Sequence, residues 1–167
     1  MDVAPHPHVG LQTVTWLLDG EVLHDDSLRH EDHLAGVMAG SILRPGGVNV
    51  MTSGGGIAHA ERTPADDSGR LNGVQLWTAL PDEHRHATAP FQHVAQVPSL
   101  EFPGGVIQVF SGCLEKVSSP AQHYSELLGA DLQWNFVART PEEIRDARMD
   151  WEEHRRFGEV KAYDGPV

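Results

Sequence analysis

Cysteine is nearly absent from this chain: Cys113 is the only one in 167 residues. No internal disulfide can form, which fits a reducing, cytoplasmic setting and excludes the disulfide-stapled secreted scaffolds. Basic residues are scarce as well, twelve Lys and Arg against twenty-four Asp and Glu, for a net charge of −12. Non-specific binding to a phosphate backbone needs Lys and Arg gathered on one face, so direct nucleic-acid contact is not expected. No apolar run approaches the roughly 20 residues of a membrane span, and no signal peptide opens the chain, so no membrane association is expected. Internal repeats and low-complexity tracts are also missing. So are the Ser-His-Asp grouping and the phosphate loop: the run Gly54-Gly55-Gly56 leads into a strand-like segment, whereas a nucleotide fingerprint needs a helix there.

What is present is a chain with an ordinary globular balance, 40% hydrophobic and 22% charged, long enough for one domain and an appendage. Seventeen glycines and eleven prolines lie scattered between short apolar runs, which favours many turns over long helices. "LQTVTWLL", Leu11 to Leu18, is β-branched and aromatic enough for a strand; Asp19-Gly20 reads as a hairpin turn and "EVLHDD" as its return. Extended pieces follow around Pro45-Gly46-Gly47 and the glycine triplet, and "LNGVQLWTAL" and "GVIQVFSG" add two more strands. This rhythm predicts an all-β fold, an antiparallel sandwich or barrel, over residues 1–112. Residues 113–167 read as a second unit ending in one α-helix over 141–157. That helix has Thr140 as N-cap, Pro141 in its first turn and Glu143 to complete a capping box, with Gly158 to stop it.

Histidine carries the chemical signal. His6 and His8 stand two apart, so on a strand both imidazoles leave from the same face while Pro7 points away. His59 and Glu61, in "GGGIAHAER", have the same spacing. Two such pairs on neighbouring strands would bring three imidazoles and a carboxylate together, a donor set suited to Fe(II) and also acceptable to Mn, Ni, Cu or Zn. Four ligands would leave up to two positions of an octahedral ion open. An H-x-H pair is weak evidence alone, and "DEHRHATAP" supplies a decoy in His84 and His86. That pair follows Pro81 in a polar stretch with no partner pair, and reads as surface. His24, His30, His33 and His93 read as solvated or locally hydrogen-bonded, and Cys113 as buried and inert. Met51, Ile57, Leu76 and Trp77 read as barrel core, with pocket lining as the alternative.

"HPHVGLQTVTWLLDGEVLHDDSL", then "RPGGVNVMTSGGGIAHAE", then "LNGVQLWTALP" resemble in order and spacing the pirin family of the cupin superfamily, over roughly Pro5 to Pro81. The segment "QWNFVARTPEEIRDARMDWEEHRRFG" resembles the end of bacterial pirins. The resemblance implies a cupin-type β-barrel or jelly roll, with His6, His8, His59 and Glu61 at the family's metal-ligand positions and iron as the usual metal. It also implies a quercetin 2,3-dioxygenase activity, with a flavonol and dioxygen as substrates and Glu61 as the ligand able to accept a proton. Eukaryotic members include a transcriptional co-regulator, so a metal-bound interaction module without turnover is the alternative, and a degenerate cupin with a structural role a third. Two departures from the family stand out. Few residues precede His6, and "SSPAQHYSELLGADL" runs almost directly into "QWNFVART", with no room for a second barrel. A natural short form, a fragment and a gap at that junction all fit the sequence. Apolar surface exposed by the loss of a partner barrel tends to be covered by self-association, so a homodimer or a weakly stable monomer is expected.

Overall fold

A computed structural model describes residues 1–28, 41–88, 90–102 and 105–133, with isolated positions between 143 and 155. In chain order its strands are β1 (Asp2–His8), β2 (Leu11–Gly20), β3 (Val22–Asp26), β4 (Ser41–Leu43), β5 (Val48–Thr52), β6 (Ile57–Arg62), β7 (Leu71–Ala79), β8 (Phe91–Val94), β9 (Ser99–Phe102), β10 (Gly105–Ser111), β11 (Cys113–Leu114), β12 (Val117–Ser118) and β13 (Gly129–Gln133). All pairings among them are antiparallel. The expected all-β fold is what the structure has. Among the described residues no helix is long and apolar enough to cross a membrane. The helix expected over 141–157 lies largely outside the described residues, as do His30 and His33.

Three layers build the molecule. The middle sheet runs β7-β2-β5-β8 and the front sheet β1-β6-β3-β4; β13-β10-β9 covers the rear. Strand alternation divides β2 between its two neighbours. Val14 and Trp16 point to the rear, where they cluster with Val48, Val50, Val97, Phe110 and Ala121. There the Trp16 and Phe110 rings stack with centroids 5.1 Å apart. Leu17 points forward to Val22 and Leu43 of the front sheet. Because both faces of β2 are covered, it is buried without a break from Gln12 to Leu17, its polar Gln12, Thr13 and Thr15 included. Each of the buried Val, Leu and Phe side chains contributes about 1.5–3 kcal/mol of transfer free energy, which holds the front and rear sheets to the middle one.

Three expectations need correcting. β3 is not the hairpin return of β2. Both edges of β2 are already taken by β5 and β7, and β3 pairs instead with β4 and β6. Gly20, at φ +85°, turns the chain between sheets, and a side chain there would collide with the backbone carbonyl of Arg70. Cys113 is exposed, not buried. Gly112 (φ +71°) ends β10, and the small β11–β12 hairpin that follows carries the thiol to the surface. Leu76 and Trp77 are not core either, being 46% and 63% exposed, because β7 is the edge of the middle sheet. Met51 and Ile57 are buried as expected.

Candidate metal centre

β6 is the strand on which the site depends. It runs between β1 and β3 in the front sheet, with Ile57, His59 and Glu61 turned inward and Ala58 and Ala60 outward. The glycine triplet makes its entry possible: Gly54 adopts φ +46°, where a side chain would strike the carbonyl of Ala87, and its own carbonyl accepts from Gly10 N–H at 2.9 Å. That contact ties the start of β6 to the end of β1. In the resulting register His6 lies directly opposite His59, and on the other flank His24 lies opposite Glu61 and Asp26 opposite His59.

The three imidazoles of His6, His8 and His59 meet through their Nε2 atoms. His59 Nε2 lies 3.0 Å from His8 Nε2 and 3.1 Å from His6 Nε2. On an ion with bonds of about 2.1 Å, neighbouring donors stand about 3.0 Å apart in octahedral geometry and about 3.4 Å apart in tetrahedral geometry. Both spacings from His59 therefore match adjacent positions of an octahedron. The tautomers agree with this for His6. Its Nδ1 sits 2.9 Å from the Ala4 carbonyl, which can only accept, so Nδ1 carries the proton and Nε2 turns a lone pair inward. Burial, and then the neighbouring imidazoles, push His59 down to about 4 despite the opposing pull of Glu61, and burial with His6 also lowers His8. At neutral pH these two rings are uncharged and able to bind metal.

Glu61 stands beside this triad in a second donor group, with His24 and His59. Its carboxylate lies 4.0 Å from His24 Nδ1, and Gln75 Nε2 donates to Oε1 and Oε2, each at 2.9 Å. Burial alone would raise the Glu61 carboxyl, but the nearby His24 imidazole, the Gln75 hydrogen bonds and the charge of the neighbouring imidazoles outweigh it and hold it below its ordinary value. His24 moves the other way: burial lowers it, yet the Asp26 and Glu61 carboxylates outweigh that and raise it. A Phe91 ring stacks on His24 at 4.4 Å, and the edge-to-face Trp77 ring closes the other side against His8 at 4.9 Å.

The structure thus brings together His6, His8 and His59, whereas Glu61 shares a donor group with His59 and His24 and not with His6 or His8. His24 is the residue that sequence reasoning missed, buried in the site rather than solvated. The signal was present, since His24 and Asp26 show the same two-residue spacing as the other pairs; assigning β3 to a hairpin with β2 concealed it. His93 is locally hydrogen-bonded as expected, its Nδ1 2.7 Å from Asn49 Oδ1. His84 and His86 lie in the turn after Pro81, and neither belongs to a donor group among the described residues. Replacing both with Ala should leave metal content unchanged by elemental analysis; loss of metal would move the site to that turn.

The Pirin family model matches residues 1–78. A Pseudomonas aeruginosa protein named "Putative quercetin 2,3-dioxygenase" is 42% identical over 78% of this chain and 38% of its own length. A pirin-like protein of Caulobacter vibrioides is 37% identical over 75% of this chain and 42% of its own. The chain therefore spans about two fifths of the length of these relatives. A crystal structure of quercetin 2,3-dioxygenase from Acinetobacter baumannii superposes with a TM-score of 0.70 at 28% identity, covering 99% of this chain and 77% of that one. The strands that carry the histidine and glutamate pairs lie within the matched segment, and over residues 1–78 the chain carries a Pirin-family domain.

Proposed function

We propose that the chain is a metal-dependent dioxygenase acting on flavonols, with Fe(II) held by His6, His8 and His59 and with Glu61 as a further ligand and proton acceptor. The observation that carries this reading is the approach of the His6 and His8 Nε2 atoms to His59 Nε2 at 3.1 and 3.0 Å, with the Glu61 carboxylate in a second donor group that shares His59. A bound ion would take up the 3-hydroxyl and neighbouring carbonyl oxygens of the flavonol and give dioxygen access to the same centre. Everything else falls to the chain. His59 and His8 stay neutral and leave the charge on the ion undiminished, while Glu61, ionised and desolvated, is placed to take the proton of the 3-hydroxyl. Trp77 and Phe91 supply aromatic walls on two sides. Both oxygen atoms of dioxygen enter the product in such a reaction, so no external reductant is needed.

The test is oxygen uptake by Fe(II)-loaded protein supplied with quercetin, followed with an oxygen electrode and by loss of flavonol absorbance. Glu61→Gln should retain metal on the three imidazoles and lose about 10²–10⁴-fold in rate, the usual contribution of a positioned base. The exposed apolar edge of β7, with Val74, Leu76 and Trp77, favours the competing reading of a metal-bound interaction module. Fe(II)-loaded protein that consumes no oxygen with any flavonol would decide for that module.

A further inference from the structure

The middle sheet sends two side chains from its edge strand toward the metal centre. Gln75 and Trp77 stand two apart on β7, opposite Thr15 and Thr13 of β2, and so share the face turned to the front sheet. Three contacts fix the sense of the Gln75 amide. Trp77 Nε1 lies 3.3 Å from Gln75 Oε1, Thr15 Oγ1 lies 3.2 Å from Nε2, and both Glu61 oxygens lie 2.9 Å from Nε2. An indole N–H can only donate and an ionised carboxylate can only accept. Turning the amide over would set N–H against N–H at Trp77 and oxygen against two carboxylate oxygens at Glu61. One N–H of the amide is thus left for Thr15 and the other is shared by the carboxylate.

A glutamate side chain has several rotors, and ordering a long side chain costs conformational entropy. As a metal ligand Glu61 meets that cost on each binding event unless it is held beforehand. We infer that Gln75 is the positioning residue that presents Glu61 to the three-imidazole centre, and that Trp77 acts through Gln75 by fixing its amide sense. Neither residue touches the ion in this assignment. Trp77 has a second contact, its ring against His8, but that contact needs only the ring and not the indole N–H. The two roles can therefore be separated by substitution.

The inference rests on the reading that Glu61 serves the metal, and Co(II) added alone to the metal-free protein tests both. Titration gives the Kd, and the visible absorption of Co(II) reports coordination number independently of turnover. Gln75→Met, similar in length but lacking the donor, should weaken Co(II) binding on the order of 10–100-fold, the range for loss of an outer partner of a ligand. Its spectrum should move toward that of Glu61→Ala. Trp77→Phe keeps the ring at a site already 63% exposed and so should fold; it should move both readouts the same way by less. Because Trp77 acts through Gln75, the double variant should match Gln75→Met alone. A wild-type affinity and spectrum for Gln75→Met, tighter binding, or additive effects in the double variant would overturn the inference. Should Gln75→Met not fold, an unaltered Trp77→Phe spectrum would overturn it equally. Failure of the underlying reading looks different: the wild type would bind no Co(II), or Glu61→Ala would show the wild-type spectrum.

Discussion

His59→Ala should leave a protein that no longer holds a stoichiometric divalent metal. His59 is the one residue present in both donor groups, with Nε2 turned to His6 and His8 and Nδ1 3.4 Å from His24 Nδ1. Removing it takes away the shared vertex of the triad and leaves His6 and His8 as a pair on one strand. The loss should therefore exceed the roughly 10–100-fold that follows removal of an outer partner, and elemental analysis after loading with Fe(II) or Co(II) would read it directly. Oxygen uptake with quercetin should fall with it. A change in packing is expected too, because the ring is 1% exposed and Ala would leave a void beside Ile57. His59→Gln, which fills most of that space without supplying an imidazole, separates the two effects. Full metal occupancy in either variant would remove the site proposed for this chain.

The sequence exposes the placement of this centre more fully than its surroundings, and the reason lies in range. Two-residue alternation is a local property of a strand, so the inward aim of His6 with His8, and of His59 with Glu61, is legible from spacing alone. That the two pairs meet depends on register between strands some fifty positions apart, and only the family resemblance carried that information. His24 was missed for the same reason. Its neighbours in sequence suggested a hairpin with β2, whereas jelly-roll topology sends β3 across to the front sheet beside β6. Trp77 shows the converse failure. A Trp in an apolar run reads as core, yet no strand among the described residues covers the outer edge of β7, so hydrophobicity alone gives the wrong burial. At Cys113 a single glycine turn changed the outcome, since Gly112 lifts the thiol out of the apolar run that precedes it. Within the site, alternation predicted which side chains point inward, and pairing decided which of them touch.

The metal-free protein should lose stability as pH falls from about 6.5 toward about 4, with His59 as a main cause. Folded, His59 is pushed down to about 4, against 6.5 as its ordinary value. Between those limits the unfolded chain binds a proton that the folded chain refuses, so protons favour unfolding across that window. His8 is shifted in the same direction, and Glu61, lowered in the folded state, adds its own loss as pH falls below the ordinary carboxylate value of 4.5. His24 has the opposite sign. Raised in the folded state, it contributes stability that is complete below 6.5 and fades as pH rises through its folded value. The metal-free chain should accordingly be most stable near neutrality and weaken on both sides, more steeply in acid. A shift of this size at His59 is on the order of 3 kcal/mol by linkage, enough to move Tm by several degrees in a chain of this length. Metal changes the profile predictably. It binds the neutral imidazoles, so Co(II) at a hundred times its Kd adds about 2.7 kcal/mol near neutrality, and that increment should vanish through the same acid window as protons compete for the ring nitrogens. Thermal melts at half-unit pH steps, with and without Co(II), would trace both curves, and His59→Gln should flatten the acid limb between 6.5 and 4. An acid limb that is unchanged in His59→Gln would place the proton uptake elsewhere in the chain.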